Sequence, residues 1–304
     1  MKYAIISDIH GNYMALQQIL DDAKANKADV YIFVGDYCVG APWVRDVVEL
    51  LQNRQDAIIV KGNEEAYLNS PYGDDGQFEI SRWCGKQLSA EQIEWLNQLP
   101  EQVEISDGDY NISITHKSEK FIGSIEFDKF HPTLLAEQYP NETISHEEML
   151  AMINDTLDNN RDFLDAQEQI PKGIYIFGHS HVQWYKEIDG HIYINPGSCG
   201  LPQDCEKFGA PYTLLTVEGE YVSVEERRVR YHVNDLIEEV KKTSQYKEAY
   251  VWSEITFREW IHSRNYVDFF LGFAEEYANK IGDTRRPFAK KTWREAYDLW
   301  SGDI

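Results

Sequence analysis

Tyr3-Ala4-Ile5-Ile6-Ser7-Asp8-Ile9-His10-Gly11-Asn12 joins a short apolar run to a polar turn. The apolar half reads as a buried strand. Asp8 and His10 are two residues apart, so at an extended strand end their side chains lean toward one face. Gly11 lets the chain turn sharply, and from Asn12 to Ala25 the apolar Leu16, Ile19, Leu20 and Ala23 recur at helical spacing. A carboxylate and an imidazole therefore stand at the C-terminal edge of a strand, where open α/β sheets bind their ligands. Asp-x-His alone is more often a turn feature than a metal site. Its weight comes from the recurrence of strand followed by polar group down the chain.

Asp29 to Val34 is a second apolar strand, ending in Gly35-Asp36. A helix is predicted next, with Val44, Val47, Val48 and Leu51 on one face. Ala57 to Val60 is a third strand and runs into Lys61-Gly62-Asn63-Glu64-Glu65. Three βα units argue for a largely parallel sheet. Tyr67 to Phe78, rich in Gly and Asp, reads as loop. Ser89-Ala90-Glu91-Gln92 is a capping-box pattern opening a helix that Pro100 closes. Val103 and Ile105 lead to the hairpin turn Asp107-Gly108, and Tyr110 to Thr115 returns as a strand ending on His116. Gly173 to Phe177 runs into Gly178-His179-Ser180-His181. Val182 to Ile188 and His191 to Ile194 form a hairpin closing on Asn195-Pro196-Gly197-Ser198, and Tyr212 to Val217 and Tyr221 to Val229 form another. This second half leans antiparallel, which gives two sheets packed between helices.

The expected organisation is a core over residues 1–232, interrupted by a partly helical insertion at 117–172, and an aromatic-rich helical extension at 233–304. The insertion carries a second capping box, Ser145-His146-Glu147-Glu148, before Met149, Leu150, Ile153 and Leu157. The extension holds Trp252, Trp260, Phe269, Phe270, Phe273, Trp293 and Trp300 at roughly helical spacing. It is expected to act as a cap selecting substrate size or as a homodimer surface, since Trp and Tyr favour interfaces.

At 304 residues the chain is long enough for a large core without covalent staples. The formal charge of −23, from 29 basic and 52 acidic residues, speaks against nucleic acid or anionic membrane as a partner. A phosphate site here must be made locally positive, and metal ions could do that. Cys38, Cys84, Cys199 and Cys205 show no CxxC spacing and read as packed, reduced thiols. No apolar run approaches the ~20 residues of a membrane span. The expectation is a soluble, cytoplasmic protein.

The strand-end groups are Asp8, His10, Asp36, Asn63, His116, His179 and His181. Nitrogen and oxygen donors without thiolate suit Mn²⁺, Fe or Zn²⁺. Seven donors exceed one tetrahedral ion and suit two ions about 3.5–4 Å apart.

Asp8-x-His10, Gly35-Asp36, Gly62-Asn63, His116 and Gly178-His179-x-His181 resemble, in order, the signature of the calcineurin-like metallophosphoesterases, over about residues 1–230. Asn195-Pro196-Gly197-Ser198 further resembles their small bacterial and archaeal phosphodiesterase branch. The resemblance implies a two-sheet αββα sandwich of α/β class. It implies that Asp8, His10 and His181 hold one metal, that Asn63, His116 and His179 hold a second, and that Asp36 bridges. It implies attack on phosphorus by a metal-bridging hydroxide, with Asn12 contacting phosphate or positioning the second-metal ligands. The expected substrate is a small, nucleotide-like phosphorylated molecule.

Two departures matter. The family commonly has His after Gly-Asn as a proton donor; here Glu64 stands there, followed by Glu65 as the usual acidic residue. An ionised Glu64 donates a proton poorly, which favours phosphoanhydrides, such as dinucleoside polyphosphates, and activated phosphodiesters over alkyl monoesters. Lys117 follows His116 where Gly is common, and its ammonium could meet a distal phosphate or pair with Glu64. His131 and His146 read as surface or packing histidines, with the alternative that either supplies the absent acid from the insertion; Arg285 and Arg286 read as a solvated pair, with the alternative that they reach a phosphate. The alternative reading is a metal-binding scaffold with weakened catalysis. A third, an aspartyl-phosphate phosphatase with Asp8 as nucleophile, would want an acidic residue in place of His10.

Overall fold

A computed structural model describes residues 1–69, 73, 75–118, 144–300 and 302. His131 and residues 119–143 of the predicted insertion lie outside the described residues. Among the described residues, no helix is long and apolar enough to cross a membrane.

The first βαβαβ segment forms as the apolar pattern dictates: β1 (Lys2–Ile6), α1 (Tyr13–Ala25), β2 (Val30–Phe33), α2 (Val44–Asn53) and β3 (Ala57–Ile59). The strands β1, β2 and β3 pair in parallel. Their side chains alternate with period two between opposite faces. Ala4, Ile6, Tyr31 and Phe33 meet Leu16, Ile19, Val47 and Val48 of the covering helices. Tyr3, Ile5, Ile32 and Val34 face the second sheet. A 3₁₀ turn (Glu64–Asn69) and two helices follow, α3 (Glu79–Gln87) and α4 (Ala90–Gln98). The loop expected over Tyr67 to Phe78 is thus shortened at its start by the 3₁₀ turn. The helix α3 carries no sequence signal as clear as the capping box that Ser89 and Gln92 complete at α4.

The second sheet holds β4 (Gln102–Asp107), β5 (Tyr110–Thr115), β6 (Ile174–Ile176), β7 (Gln183–Ile188) and β8 (His191–Pro196), in the order β4-β5-β6-β8-β7. The isoleucines Ile112, Ile114, Ile174, Ile176, Ile192 and Ile194 fill the space between the sheets. On the outer face Tyr175, Phe177 and Tyr193 receive Met149, Ile153, Leu157 and Phe163 from α5 (His146–Asn159) and α6 (Arg161–Gln167). Ser145 and Glu148 form the expected reciprocal cap at α5.

Two pairings depart from the antiparallel-leaning second half. β5 and β6, and β6 and β8, are parallel. The last hairpin, β9 (Ala210–Glu218) and β10 (Tyr221–Val229), returns to the first sheet, where β9 lies antiparallel beside β1. Both sheets are therefore mixed, and helices cover the outer face of each.

Five helices follow: α7 (Val233–Lys241), α8 (Ser244–Glu248), α9 (Tyr250–His262), α10 (Val267–Ile281) and α11 (Lys290–Leu299). Phe270, Phe288 and Trp293 anchor their own small core. Leu236, Ile237, Phe257 and Trp260 pack on Ala41 and Leu201 of the main body. Trp260 Nε1 donates to the Gly200 carbonyl at 2.7 Å and Gln245 Nε2 to the Gly40 carbonyl. The extension is thereby fastened to the loops at the C-terminal edge of the first sheet. All four cysteines are free.

Candidate metal centre

Five strands end at one edge and deliver the polar groups there. Asp8 and His10 follow β1, Asp36 follows β2, Asn63 follows β3, His116 follows β5, and His179 and His181 follow β6. Backbone bonds stitch these ends together: Asp8 N to Gly35 O at 3.1 Å, His10 N to Asp36 O at 3.0 Å, and Gly178 N to His116 O at 3.0 Å. Asp8, His10, Asp36, His179 and His181 all hold φ between +49° and +68°. Such backbone costs on the order of 1–3 kcal/mol at a non-glycine residue and gathers at functional sites. Glycines make the close approach possible. A Cβ on Gly178 would stand 2.0 Å from Ser7 Oγ, and one on Gly62 would stand 2.1 Å from Asp36 Oδ1.

Two triads result, Asp8–His10–His181 and Asp36–His116–His179, each with its ligand atoms within 4.8 Å of one another. His10 Nδ1 lies 2.7 Å from the Val39 carbonyl, His181 Nδ1 2.7 Å from the Leu201 carbonyl, and His116 Nδ1 2.6 Å from the Val34 carbonyl. A carbonyl only accepts, so each Nδ1 carries the proton and each Nε2 presents a lone pair. The Nε2 atoms of His10 and His181 face each other at 3.2 Å. His116 Nε2 faces Asp36 Oδ2 at 3.2 Å and Asn63 Oδ1 at 3.1 Å. Asp8 Oδ1 is buried without a hydrogen-bond partner, although His181 Nε2 stands 3.3 Å away. Acceptors converging on acceptors need a cation between them. The residues therefore fit the pair of divalent ions that the donor set suggests.

Without a cation, protons meet part of this demand. Burial works against a charged His116, yet the Asp36 carboxylate holds it up to about 10. Burial, reinforced by His116, pushes His179 down to about 3. Asp36 itself is lowered, its burial outweighed by His116. Metal entering the second triad must displace the His116 proton. Below about 10 that proton competes, so metal affinity is expected to fall as pH falls, by up to about tenfold per unit near neutrality. Calorimetry at pH 7.5 in two buffers of different ionisation enthalpy should read release of at least about one proton per chain. Metal uptake without proton release would contradict this arrangement.

Glu65 has a role that its position in the chain did not disclose. Its buried carboxylate accepts from Tyr37 N at 2.8 Å, Gly62 N at 2.9 Å and Asp36 N at 3.3 Å, bolting the β2 and β3 loops together. Burial, with Asp36 adding to it, raises its carboxyl to about 7. Asn195 Nδ2 similarly holds Gly178 O and Ser180 Oγ, and Ser198 Oγ donates to Asp8 O. The Asn-Pro-Gly-Ser stretch is thus a brace behind both triads.

Four further groups have definite surroundings. Asn12 is fully buried: its Oδ1 caps α1 through Ala15 N and its Nδ2 donates to Gly200 O, contacts that suit the positioning role. Lys117 is absent from the described cleft lining, although its charge reaches His179 and helps lower that imidazole. His146 turns to the Asp204 carbonyl at 2.8 Å and so cannot serve as an acid at the triads. Arg285 and Arg286 pair with Asp283 and Glu275 on the extension.

The triads open into a cleft of about 490 Å³. Glu64 lies on its wall, its backbone N bonded to Asp36 Oδ1 at 2.9 Å. Burial, Asp36 and Glu65 push the Glu64 carboxyl well above the ordinary range, whereas two adjacent dications would act in the opposite sense. The far wall comes from the extension, through Trp252, Thr256, Glu259, Val267 and Asp268. Glu259 had no local signal in the sequence, since it falls mid-helix among aromatic residues.

A family model described as the calcineurin-like phosphoesterase superfamily domain matches residues 1–220. An uncharacterized protein of Methanocaldococcus jannaschii is 22% identical over 258 residues, covering 79% of this chain and 91% of that protein. A metallophosphoesterase from Sphaerobacter thermophilus superposes with a TM-score of 0.58 at 23% identity, covering 86% of this chain and 99% of that one. A hypothetical protein from Pyrococcus horikoshii OT3 superposes with a TM-score of 0.60 at 16% identity, covering 86% and 98%. Both share the fold.

Proposed function

The chain belongs to the calcineurin-like phosphoesterase superfamily, and from that membership we propose that it is a two-metal hydrolase of phosphodiester or phosphoanhydride bonds. One observation carries the reading: two triads of buried donors, their imidazole lone pairs and carboxylates facing one another, open into a single cleft. Asp8, His10 and His181 would hold one ion and Asn63, His116 and His179 the other, with Asp36 between them. Mn²⁺, Fe or Zn²⁺ suits these donors. When bound, two such ions neutralise charge developing on the phosphoryl oxygens and make water acidic enough to attack at neutral pH.

The protein's own part is positional. The carbonyls of Val39, Val34 and Leu201 fix the tautomers of His10, His116 and His181. Glu65 sets the spacing of the Asp36 and Asn63 loops. Glu64, at the place where the family commonly has a proton-donating imidazole, leaves the leaving group to depart as an anion. That favours anhydrides and activated diesters over alkyl monoesters. The same substitution is what supports the second reading, a metal-binding scaffold with weakened turnover.

Loading purified protein with Mn²⁺, counting ions by elemental analysis and assaying bis(4-nitrophenyl) phosphate separates the two. Two ions per chain, with turnover that EDTA removes and Mn²⁺ restores, is the expected result. Two ions without turnover would leave the scaffold.

A further inference from the structure

Away from the triads the cleft changes character. Its described lining contains no Lys or Arg, but it does contain Glu64, Glu259 and Asp268, together with the rings of Tyr67, Phe78 and Trp252. A second phosphate on the substrate would meet carboxylates there with no Lys or Arg among the described lining residues to offset them.

Glu259 is the informative residue. Its side chain is fully buried on the cleft wall. Its Oε1 accepts from Tyr266 N at 2.9 Å, Val267 N at 3.2 Å and Gln203 Nε2 at 3.2 Å. Two of those donors sit at the start of α10, a position that favours a carboxylate's charge, but burial outweighs them and raises the Glu259 carboxyl to about 7. Among the described residues, Oε2 has no hydrogen-bond partner. Trp252 forms part of the same wall, its Nε1 tied to the Gln77 carbonyl at 2.7 Å. A buried carboxyl group with one oxygen unspent, beside aromatic rings and with no Lys or Arg in the described lining, is ionised more fully by a cation, and so matches one better than an anion or a neutral alkyl group.

We infer that this end of the cleft receives an ammonium group, so that the substrate is a phosphodiester with one positively charged ester arm seated between Glu259 and the aromatic wall. The inference rests on the two-metal hydrolase reading and narrows it, disfavouring the dinucleoside polyphosphates that the sequence leaves open.

A pair of matched esters tests it: 4-nitrophenyl phosphocholine and 4-nitrophenyl 3,3-dimethylbutyl phosphate, which differ by a nitrogen cation against a carbon. In both, water forms a new P–O bond, nitrophenolate leaves with the electron pair of the broken P–O bond, and the surplus proton goes to solvent. With the Mn²⁺-loaded protein, kcat/KM is expected to be about tenfold or more higher for the choline ester. Glu259→Gln should bring that ratio to within about threefold of unity. Calorimetry with phosphocholine and 3,3-dimethylbutyl phosphate should give the same order in Kd without relying on turnover. Equal kcat/KM or equal Kd for the two partners in the unaltered protein overturns the inference. So does a Glu259→Gln variant that loses both esters alike, because the residue would then act on the reacting centre. Turnover of neither ester removes the hydrolase reading, and the calorimetric pair still decides the cation site.

Discussion

Asp36→Asn is expected to lower turnover of bis(4-nitrophenyl) phosphate by roughly 10³-fold or more and to reduce the metal content below two ions per chain. Asp36 Oδ1 is held by the backbone N of Glu64 at 2.9 Å, and Oδ2 faces His116 Nε2 at 3.2 Å. Asparagine keeps the shape and can keep the bond from Glu64 N. It removes the negative charge of the second triad, and it can point an N–H₂ at an imidazole lone pair. Metal stabilisation of a phosphoryl transition state is worth several kcal/mol, and each 1.36 kcal/mol is a factor of ten in rate. Because the geometry is nearly isosteric, the variant should melt as a folded protein, which circular dichroism would verify. A folded Asp36→Asn protein retaining two ions and full turnover would remove Asp36 from the centre.

Glu64→His should have the opposite effect, and only on poor leaving groups. The side chain sits on the cleft wall at the start of the 3₁₀ turn Glu64–Asn69, directly after Asn63. An imidazolium there can hand a proton to a departing alkoxide, which general-acid catalysis rewards with about 10²–10⁴-fold. Nitrophenolate needs no such help. The expected result is a gain of about 10²-fold on a simple alkyl diester and little change on the nitrophenyl diester. Glu64→Gln separates proton donation from loss of charge, since it removes the carboxylate without supplying an acid. If glutamine matched histidine on the alkyl ester, repulsion of the phosphate by Glu64 would be the operative effect and the missing-acid account would fail.

The donors that gather in the two triads were legible in the chain because each is a local signal. An apolar run of period two ends, a glycine permits a close turn, and a donor follows, as in Gly35-Asp36 and Gly178-His179-Ser180-His181. Capping boxes at Ser89 and Ser145 were equally local and formed as expected. The strain at Asp8, His10, Asp36, His179 and His181 was not legible, since a residue type does not announce a left-handed backbone. Asn12 was open to two readings because the same amide suits a phosphate contact and a positioning helix cap. Its burial and two partners decide for the cap.

Taken by itself, the sequence determined which side chains end the strands and which face of each strand is apolar, because alternation and turn chemistry act over a few residues. Only the tertiary structure decided that β9 pairs with β1, that Glu65 clamps two loops, and that the extension walls the cleft and brings Glu259 to it. Those outcomes depend on backbone bonds and packing between segments up to some two hundred residues apart, such as Gln245 on Gly40. Hydrophobic periodicity records that a face must be covered, and it carries no term for which distant segment covers it.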